Sequence, residues 1–147
     1  MSSISTRKKD HVELTMSQHS QYHRTTGLDS IQLRHNALPE CSVNDIDTSA
    51  QLMGRIFPFP LFVSSMTGGY EYATQMNAAI AEFCETMDVP FGVGSQRAML
   101  EDPSLESSFS IVRNKAPNAF IAANIGGVQL IGNLSKDKIT RLIESIE

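Results

Sequence analysis

The segment that decides the fold is PLFVSSMTGGY, residues 60–70, which changes abruptly from apolar to polar. It opens with Leu61-Phe62-Val63, an apolar run that is too short for a helix and is bounded by proline and glycine. It continues through Ser64-Ser65-Met66-Thr67 to Gly68-Gly69, which form a hydroxyl-rich turn. The segment therefore predicts a short buried strand, over Leu61–Ser65, whose carboxyl end runs into a polar, glycine-rich loop.

Two later segments repeat this arrangement. Phe91–Ser95 and Ala119–Ala123 are short apolar runs, and each leads into a polar, glycine-containing stretch. The three markers Thr67, Gly94 and Asn124 are spaced by about 30 residues, which is the length of a βα unit. Continuous apolar strands in such units are typical of a parallel sheet covered by helices. Both an open doubly wound sheet and a closed eight-unit barrel fit this pattern, and in both the ligand binds at the carboxyl ends of the strands.

Helices are expected between and after these strands. One is predicted over residues 71–88 and is stopped by Pro90, and another opens at Asp102-Pro103, with the aspartate as cap. Ser135 is expected to cap a last helix, and a short helix is possible over Lys8–His19. The apolar face of the helix over residues 71–88 is predicted to comprise Met76, Ala79, Ile80, Phe83 and Met87.

Composition indicates one ordinary globular domain. The chain has 147 residues, of which 41% are hydrophobic and 19% charged. Its net charge of −4 argues against a general nucleic-acid binder. The start, MSSISTRKKD, is charged where a signal peptide would be apolar, and the longest apolar run, Ile56–Val63, is too short to cross a bilayer. We therefore expect a cytoplasmic protein that binds neither nucleic acid nor membrane.

The sequence predicts no disulfide and no metal site. Cys41 and Cys84 are far apart and form no CxxC motif, which is typical of buried thiols in a reducing compartment. His19 and His23, four residues apart, would share a helix face, but no third ligand lies near them in the sequence.

The polar strand ends have the chemistry of a site for a flat heterocycle. Ser65, Thr67, Ser95 and Asn124 supply hydrogen bonds, and Met66 supplies a soft apolar surface. Glycines in these segments would let a planar ring or a phosphate approach the main chain closely. Such a combination suits a flavin, although glycines after strands also serve simply to form tight turns.

Two groups of cations predict an anion site. GVGSQR, residues 92–97, is not a dinucleotide fingerprint, because Arg97 replaces its third glycine. Arg97 is therefore interpreted as an anion clamp, or else as a surface arginine paired with Glu101 or Asp102. Arg7-Lys8-Lys9 would either fold over the strand ends and grip a phosphate or remain a solvated terminus.

Taken together, several segments resemble the type 2, FMN-dependent isopentenyl-diphosphate isomerases in order and spacing. The resemblance extends over essentially the whole chain, and although each motif alone is weak, the ordered set is specific. The matching segments are Arg7–Val12, Asn44–Asp47, Ser65–Gly69, Gly94–Arg97 and Asn124–Gly126.

The resemblance implies an activity, a set of cofactors and a set of site residues. Members of this family interconvert isopentenyl and dimethylallyl diphosphate with reduced FMN and Mg²⁺, and NADPH keeps the flavin reduced. It implies that the residues that bind the substrate's diphosphate are Arg7, Lys8, Ser95, Gln96 and Arg97. It implies that the residues that contact FMN are Ser65, Met66, Thr67, Ser95 and Asn124. No residue is assigned a catalytic step, and the full-length form is expected to be a homo-oligomer.

The resemblance also implies a partial TIM (β/α)8 barrel. Residues 1–147 would be the amino-terminal part of one barrel domain, in which residues 1–55 grip the substrate and residues 56–147 form the first three βα units. The later Gln-Glu pair, lysine and glycine-rich segments of the family are missing, so we expect such a fragment to be inactive alone. Two other functions stay open: another FMN barrel of the 2-hydroxy-acid oxidase type, and a non-catalytic half-barrel.

Overall fold

The computed structural model describes residues 4–17, 20–131 and 134–147 as a mixed arrangement of helices and short strands. Single 3-10 turns lie at Leu28–Ser30, Val43–Asp45 and Pro103–Glu106. The helices are α1 (Ile4–Met16), α2 (Ala73–Met87), α3 (Arg97–Glu101), α4 (Ser107–Lys115), α5 (Gly127–Ile131) and α6 (Lys136–Glu144). The strands are β1 (Ala50–Leu52), β2 (Arg55–Phe57), β3 (Phe91–Gly92) and β4 (Ile121–Ala122).

The predicted parallel sheet is present, with its strands side by side in chain order. β3 pairs in parallel with β4, and Val63 forms a parallel bridge with Phe91 on the other side. The amide of Gly92 donates to the carbonyl oxygen of Val63 at 2.9 Å. The first strand is thus a single bridge rather than the expected run over 61–65. The neighbouring strand begins after Pro90, which has no N–H to donate to Leu61.

The described part of the chain shows an α/β arrangement but does not close into a barrel. Three parallel strand positions, at Val63, β3 and β4, lie next to one another, with helices between them in the chain. Within the described ranges, no helix is both long enough and apolar enough to cross a membrane.

The core lies between the sheet and the helices α2 and α4. The largest side chains that are fully buried there are Phe91, Met99 and Phe109. The predicted buried face of α2 is wrong in part, because Phe83 and Met87 remain 45% and 41% exposed. The buried positions of α2 are instead the small or polar residues Ala73, Asn77, Ala81 and Cys84. Small side chains on this face let α2 approach α4 closely, which the apolar periodicity did not reveal.

Helix boundaries follow the predicted capping residues. The Asp102 carboxylate accepts from the amide of Ser104 at 3.0 Å, and the Ser135 hydroxyl accepts from that of Lys138 at 3.4 Å. α2 ends at Asp88, which is in the left-handed region with φ of 49° and leads into Pro90. α1 is present as expected, but its predicted end at His19 lies outside the described residues.

An antiparallel hairpin, β1–β2, lies in the segment that was expected to be irregular. Its turn is Met53-Gly54, and both residues have positive φ, at 50° and 82°. Two-residue hairpin turns of this kind usually begin with Asn, Asp or Gly. Because Met53 stands at this position, the sequence did not indicate a hairpin. Phe57 of β2 packs edge-on against Phe120, with ring centroids 6.1 Å apart. Because Phe120 directly precedes β4, the hairpin lies at the amino end of the sheet, away from the polar strand ends.

Candidate functional site

A cleft of about 390 Å³ lies at the carboxyl ends of the parallel strands, and we call it the strand-end cleft. Its walls come from α1, from the loops that follow Val63, β3 and β4, and from the first turns of α3 and α5. The lining residues are Arg7, Lys8, His11, Ser65, Met66, Ser95, Arg97, Asn124 and Gln129. Most of the site residues predicted from the sequence therefore line one cavity.

A larger groove, of about 820 Å³, lies between α1 and the start of α2. It is lined partly by Lys9, Glu13, Tyr70 and Tyr72, and none of the predicted site residues borders it. Ligands of parallel α/β folds bind at the carboxyl ends of the strands. The smaller strand-end cleft is therefore the better candidate site.

Lys8 fixes α1 over the strand ends. Its ammonium donates a hydrogen bond of 2.8 Å to the carbonyl oxygen of Ser95 and lies 5.5 Å from the centroid of the Phe109 ring. The side chain also covers Gly69, where an added Cβ would lie 3.1 Å from the lysine nitrogen. Burial lowers the pKa of Lys8 to about 8, because removal from water disfavours the charged form.

The glycines of the first two strand ends serve contacts within the protein. The amide of Gly94 donates to the carbonyl oxygen of Thr67 at 2.6 Å, and a Cβ on Gly94 would lie 2.2 Å from that oxygen. Gly68 has φ of 137°, and its Cβ would lie 2.2 Å from a ring carbon of Phe109. At these two positions the glycine is required by packing and turn geometry, rather than by the approach of a ligand.

The Thr67 side chain points into the protein and does not line the cleft. Thr67 is only 5% exposed, and its hydroxyl donates to the side-chain carbonyl oxygen of Asn77. The Asn77 amide in turn donates to the carbonyl oxygen of Ser108 at 2.6 Å. The Ser108 hydroxyl accepts from the amide of Gly69 at 2.9 Å. This buried network holds the first strand end against α2 and α4.

The Gln96 side chain is also turned inward. It is fully buried, and its amide nitrogen donates to the carbonyl oxygen of Leu142 at 2.6 Å and to the Ser145 hydroxyl at 2.9 Å. Its carbonyl oxygen accepts from the amide of Asn124 at 3.2 Å. Gln96 therefore lies beneath the cleft, whereas its neighbours Ser95 and Arg97 line it.

Arg97 combines both interpretations made from the sequence. Its Nε donates to a carboxylate oxygen of Glu101 at 2.7 Å along α3, and both side chains are partly exposed. It also borders the strand-end cleft together with Arg7. The bond to Glu101 is made by Nε, so it does not use the terminal nitrogens of the guanidinium group.

Sequence reasoning missed two cleft residues as site residues, His11 and Gln129. His11 lies one helical turn after Arg7 on α1, so the i,i+4 spacing was the available signal. Gln129 lies on α5, a helix of five residues that the sequence analysis did not predict. Neither residue stands in a motif whose chemistry identifies it from sequence alone.

The electrostatics of the cleft favour an anion. Arg7, Lys8 and Arg97 contribute positive charge, and no carboxylate lines the cleft among the residues that the structure describes. Met66, which is 74% exposed, offers an apolar surface in the same cleft.

Within the described residues, no group of three or more His, Cys, Asp or Glu is arranged to hold a metal ion. His19, one of the two histidines considered from the sequence, lies outside those residues.

Comparison with known proteins identifies a matching family and a set of similar proteins. A family model described as FMN-dependent dehydrogenase matches residues 4–108. The chain is 42% identical over 146 residues to an isopentenyl-diphosphate delta-isomerase of Methanococcoides burtonii, which covers 99% of this chain and 40% of that protein. It is 43% identical over 147 residues to the protein of that name from Archaeoglobus fulgidus, and 41% over 145 residues to that from Chlorobium phaeovibrioides. These matches cover 99% and 98% of this chain and 41% of each relative, so the chain spans about 40% of the length of the curated relatives it matches.

Proposed function

We propose, from the premise that the chain belongs to the FMN-dependent dehydrogenase family, that its strand-end cleft binds FMN beside a prenyl diphosphate. The reaction is the isomerisation of isopentenyl diphosphate to dimethylallyl diphosphate. The observation that carries the proposal is the convergence of Arg7, Lys8 and Arg97 with Ser65 and Asn124 in one cleft. The names of the relatives, isopentenyl-diphosphate delta-isomerase, supply the substrate.

The wall formed by the strand ends fits FMN. Ser65, Ser95 and Asn124 present hydrogen-bonding groups, and the exposed Met66 side chain presents an apolar surface to a ring. This donor set matches a planar heterocycle with polar edges. Thr67 would take part through its main chain, because its hydroxyl is bonded to Asn77 inside the protein.

The opposite wall fits the diphosphate. Arg7 and Arg97 bring guanidinium groups, which bind phosphate oxygens with paired hydrogen bonds, and Lys8 adds a charge between them. Each hydrogen bond to a charged group contributes about 1.5–3 kcal/mol. Three cations would thus anchor a substrate whose short hydrocarbon part offers little area to hold. Gln96 would contribute only indirectly, since its side chain is buried and its main-chain N–H is bonded to the carbonyl oxygen of Asn124.

An allylic isomerisation adds a proton at one carbon and removes one from another. Reduced FMN, when bound, would supply acid–base chemistry and stabilise developing positive charge. The residues of this chain hold the two ligands in register: α1 is fixed over the cleft by Lys8, and the three strand ends are joined by main-chain hydrogen bonds. Positioning of this kind is a major source of rate enhancement.

The other cofactors are proposed on the resemblance alone. NADPH would reduce the flavin. Mg²⁺ would accompany the diphosphate, but the described residues contain no carboxylate and histidine cluster that fits the ion. No step is therefore assigned to Mg²⁺ here.

We also propose that the parallel units are part of a TIM (β/α)8 barrel in a cytoplasmic homo-oligomer. The chain order of Val63, β3 and β4 supports the barrel. The free thiols of Cys41 and Cys84 support a reducing compartment. Large apolar side chains in the segment before β1, such as Leu33 and Leu38, are 90% and 87% exposed, which supports burial against further protein.

One alternative function has a specific observation in its favour. The matching family is described as FMN-dependent dehydrogenase, which is an oxidoreductase activity and favours an FMN barrel of the 2-hydroxy-acid oxidase type. A carboxylate substrate needs fewer cations than a diphosphate, so the three cations of the cleft favour the isomerase. A non-catalytic half-barrel that binds no flavin is the remaining alternative.

Two measurements test the proposal, both made on the chain mixed with the later barrel units of a relative. FMN titration, followed by quenching of flavin fluorescence, reports the cofactor, and conversion of isopentenyl diphosphate in the presence of reduced FMN, NADPH and Mg²⁺ reports the reaction. Arg97→Ala should raise the KM for isopentenyl diphosphate by about 10- to 150-fold, the equivalent of one charged hydrogen bond of about 1.5–3 kcal/mol, with little change in the Kd of FMN.

Arg141→Ala is the matched control, because Arg141 is also a half-exposed arginine paired with a glutamate, Glu106, and does not line the cleft. It should leave both values unchanged. Turnover of a 2-hydroxy acid without isomerisation would establish the oxidase alternative. If no FMN binds, the non-catalytic half-barrel is the interpretation that remains.

A further inference from the structure

The ladder between β3 and β4 slips by one residue where it reaches the cleft. The amides of Phe91 and Val93 donate to the carbonyl oxygens of Phe120 and Ala122, at 2.9 and 3.1 Å. In a regular parallel ladder the next donor, two residues on, would be Ser95, bonded to the carbonyl oxygen of Asn124. The bond to Asn124 is made instead by the amide of Gln96, at 2.9 Å. The extra residue is a bulge, and it leaves Ser95 to line the cleft.

The Gln96 side chain completes the interrupted ladder. Its carbonyl oxygen accepts from the amide of Asn124, so Gln96 bonds both the N–H and the C=O of that one residue. Its two N–H groups are used by the carbonyl oxygen of Leu142 and by the Ser145 hydroxyl. Both the donors and the acceptor of this fully buried amide are thus engaged, which fixes its orientation.

We infer that Gln96 is a positioning residue that sets the main chain of Asn124 at the cleft and joins it to the carboxyl end of α6. This inference rests on the proposed function only for the identity of the ligand at Asn124. Glutamine is suited to the role because one planar amide supplies an acceptor on one side and two donors on the other. The residue that reaches the ligand is Asn124, and Gln96 acts through it.

The two ends of the amide predict different effects for different substitutions. Gln96→Leu removes all three side-chain bonds. It leaves the amide of Asn124 without its side-chain acceptor, whereas the carbonyl oxygen of Leu142 keeps its bond from the Ser145 hydroxyl. Gln96→Glu keeps the acceptor for Asn124 but replaces the donors by an oxygen that faces the carbonyl oxygen of Leu142. Ser145→Ala removes the acceptor of one Gln96 N–H and the donor of a bond to the carbonyl oxygen of Leu142. Both bonds are at the far end of the network, so the variant tests the link to α6 without touching the strand end.

The inference can be tested without a ligand, by measuring hydrogen exchange of assigned backbone amides in the purified protein. In Gln96→Leu the amide of Asn124 should exchange at least about fivefold faster, because a buried hydrogen bond is lost. Amides inside α2 serve as the internal reference for global unfolding and should keep their rates. Gln51→Leu, at an exposed position in β1, is the matched control and should change neither.

FMN titration then measures the consequence for the site. Gln96→Leu and Gln96→Glu should both weaken FMN, and Ser145→Ala should weaken it less, in the same order as the exchange rates at Asn124. Unchanged exchange at Asn124 in Gln96→Leu, with α2 intact, would overturn the inference. If the amides of α2 exchange faster in Gln96→Leu, that variant is globally destabilised and Ser145→Ala is used instead. Unchanged exchange of the Asn124 amide in Ser145→Ala would rule out the proposed link to α6.

The two proposals fail in different ways. If the unsubstituted protein binds no FMN, the proposed function fails while the exchange experiment still decides the role of Gln96. If FMN binds but its Kd is the same in all Gln96 variants, Gln96 has no positioning role toward the ligand.

Discussion

The ammonium of Lys8 donates a hydrogen bond of 2.8 Å to the main-chain carbonyl oxygen of Ser95, and so joins the first helix to the end of the second parallel strand. This contact links residues that are far apart in the sequence and brings Arg7 and His11 to the strand-end cleft. It uses part of the bonding capacity of Lys8, since an ammonium has three donors and one is committed to the protein. Lys8 also lines the cleft, where its other two donors would serve a bound anion.

Lys8→Met should release α1 from the strand ends. Methionine keeps the length of the side chain but loses the hydrogen bond to Ser95 and the charge near Phe109. Amides of α1 should exchange faster, and inorganic pyrophosphate should bind at least about tenfold more weakly, as expected for one lost charged hydrogen bond. Lys9→Met is the control, because Lys9 is exposed and pairs only with Glu13 among the contacts described for its side chain. Equal effects of the two substitutions would contradict the role of Lys8.

Pyrophosphate binding should weaken as pH rises through about 8. Burial lowers the pKa of Lys8 to about 8, so the lysine loses its charge there rather than near 10.5. Isothermal titration at pH 7 and pH 9 measures the change in Kd, and bound anion should raise the transition pH. The pH dependence between these values should be smaller in Lys8→Met. If the variant keeps the full dependence, another group is responsible.

The same pKa shift predicts a rise in stability with pH. The unfolded chain holds the Lys8 proton up to about 10.5, whereas the folded protein releases it near 8, so unfolding takes up a proton between these values. The free energy of unfolding therefore gains a component that increases from about pH 8 to 10.5 and is lost again as pH falls. Urea unfolding of the protein and of Lys8→Met over this range isolates the component, since other groups contribute equally to both. A difference that does not vary with pH would refute the shift.

Gly94→Ala should destabilise the protein, whereas Gly127→Ala should not. A Cβ on Gly94 would lie 2.2 Å from the main-chain oxygen of Thr67, which cannot rotate away, so a cost of at least about 1–3 kcal/mol is expected. A Cβ on Gly127 meets nothing within 4 Å, and alanine favours a helix by about 0.5–1 kcal/mol. Thermal unfolding followed by circular dichroism compares the two. Similar melting temperatures would show that the two strand ends are not in contact.

The two thiols should differ sharply in reactivity. Cys41 is exposed, so the expectation that both thiols are buried was wrong for this residue. Cys84 is fully buried, and burial raises the pKa of its thiol to about 11. Iodoacetamide at pH 8, followed by mass spectrometry, should label Cys41 quickly and Cys84 only after denaturation. Rapid labelling of Cys84 in a folded Cys41→Ser variant would contradict the core packing.

Much of the fold was accessible from local pattern. The apolar runs at Val63, Phe91 and Ile121 and the intervals between them predicted a parallel sheet, because strand burial and βα length are properties of short segments. Capping by Asp102 and Ser135 was predicted for the same reason. The β1–β2 hairpin and the buried face of α2 were not predicted. Met53 is an unusual residue for a two-residue hairpin turn, and small residues such as Ala81 do not stand out in the apolar pattern.

The sequence by itself determined which residues would gather at the strand ends, because parallel strands bring their carboxyl ends to one edge whatever their exact length. Only the tertiary structure decided which side chains face the cleft. Thr67 and Gln96 stand in the same short motifs as Ser65 and Arg97, yet they turn inward to Asn77 and Leu142. The physical reason is that a buried amide or hydroxyl must find hydrogen-bond partners, and those partners come from distant segments that no local motif contains.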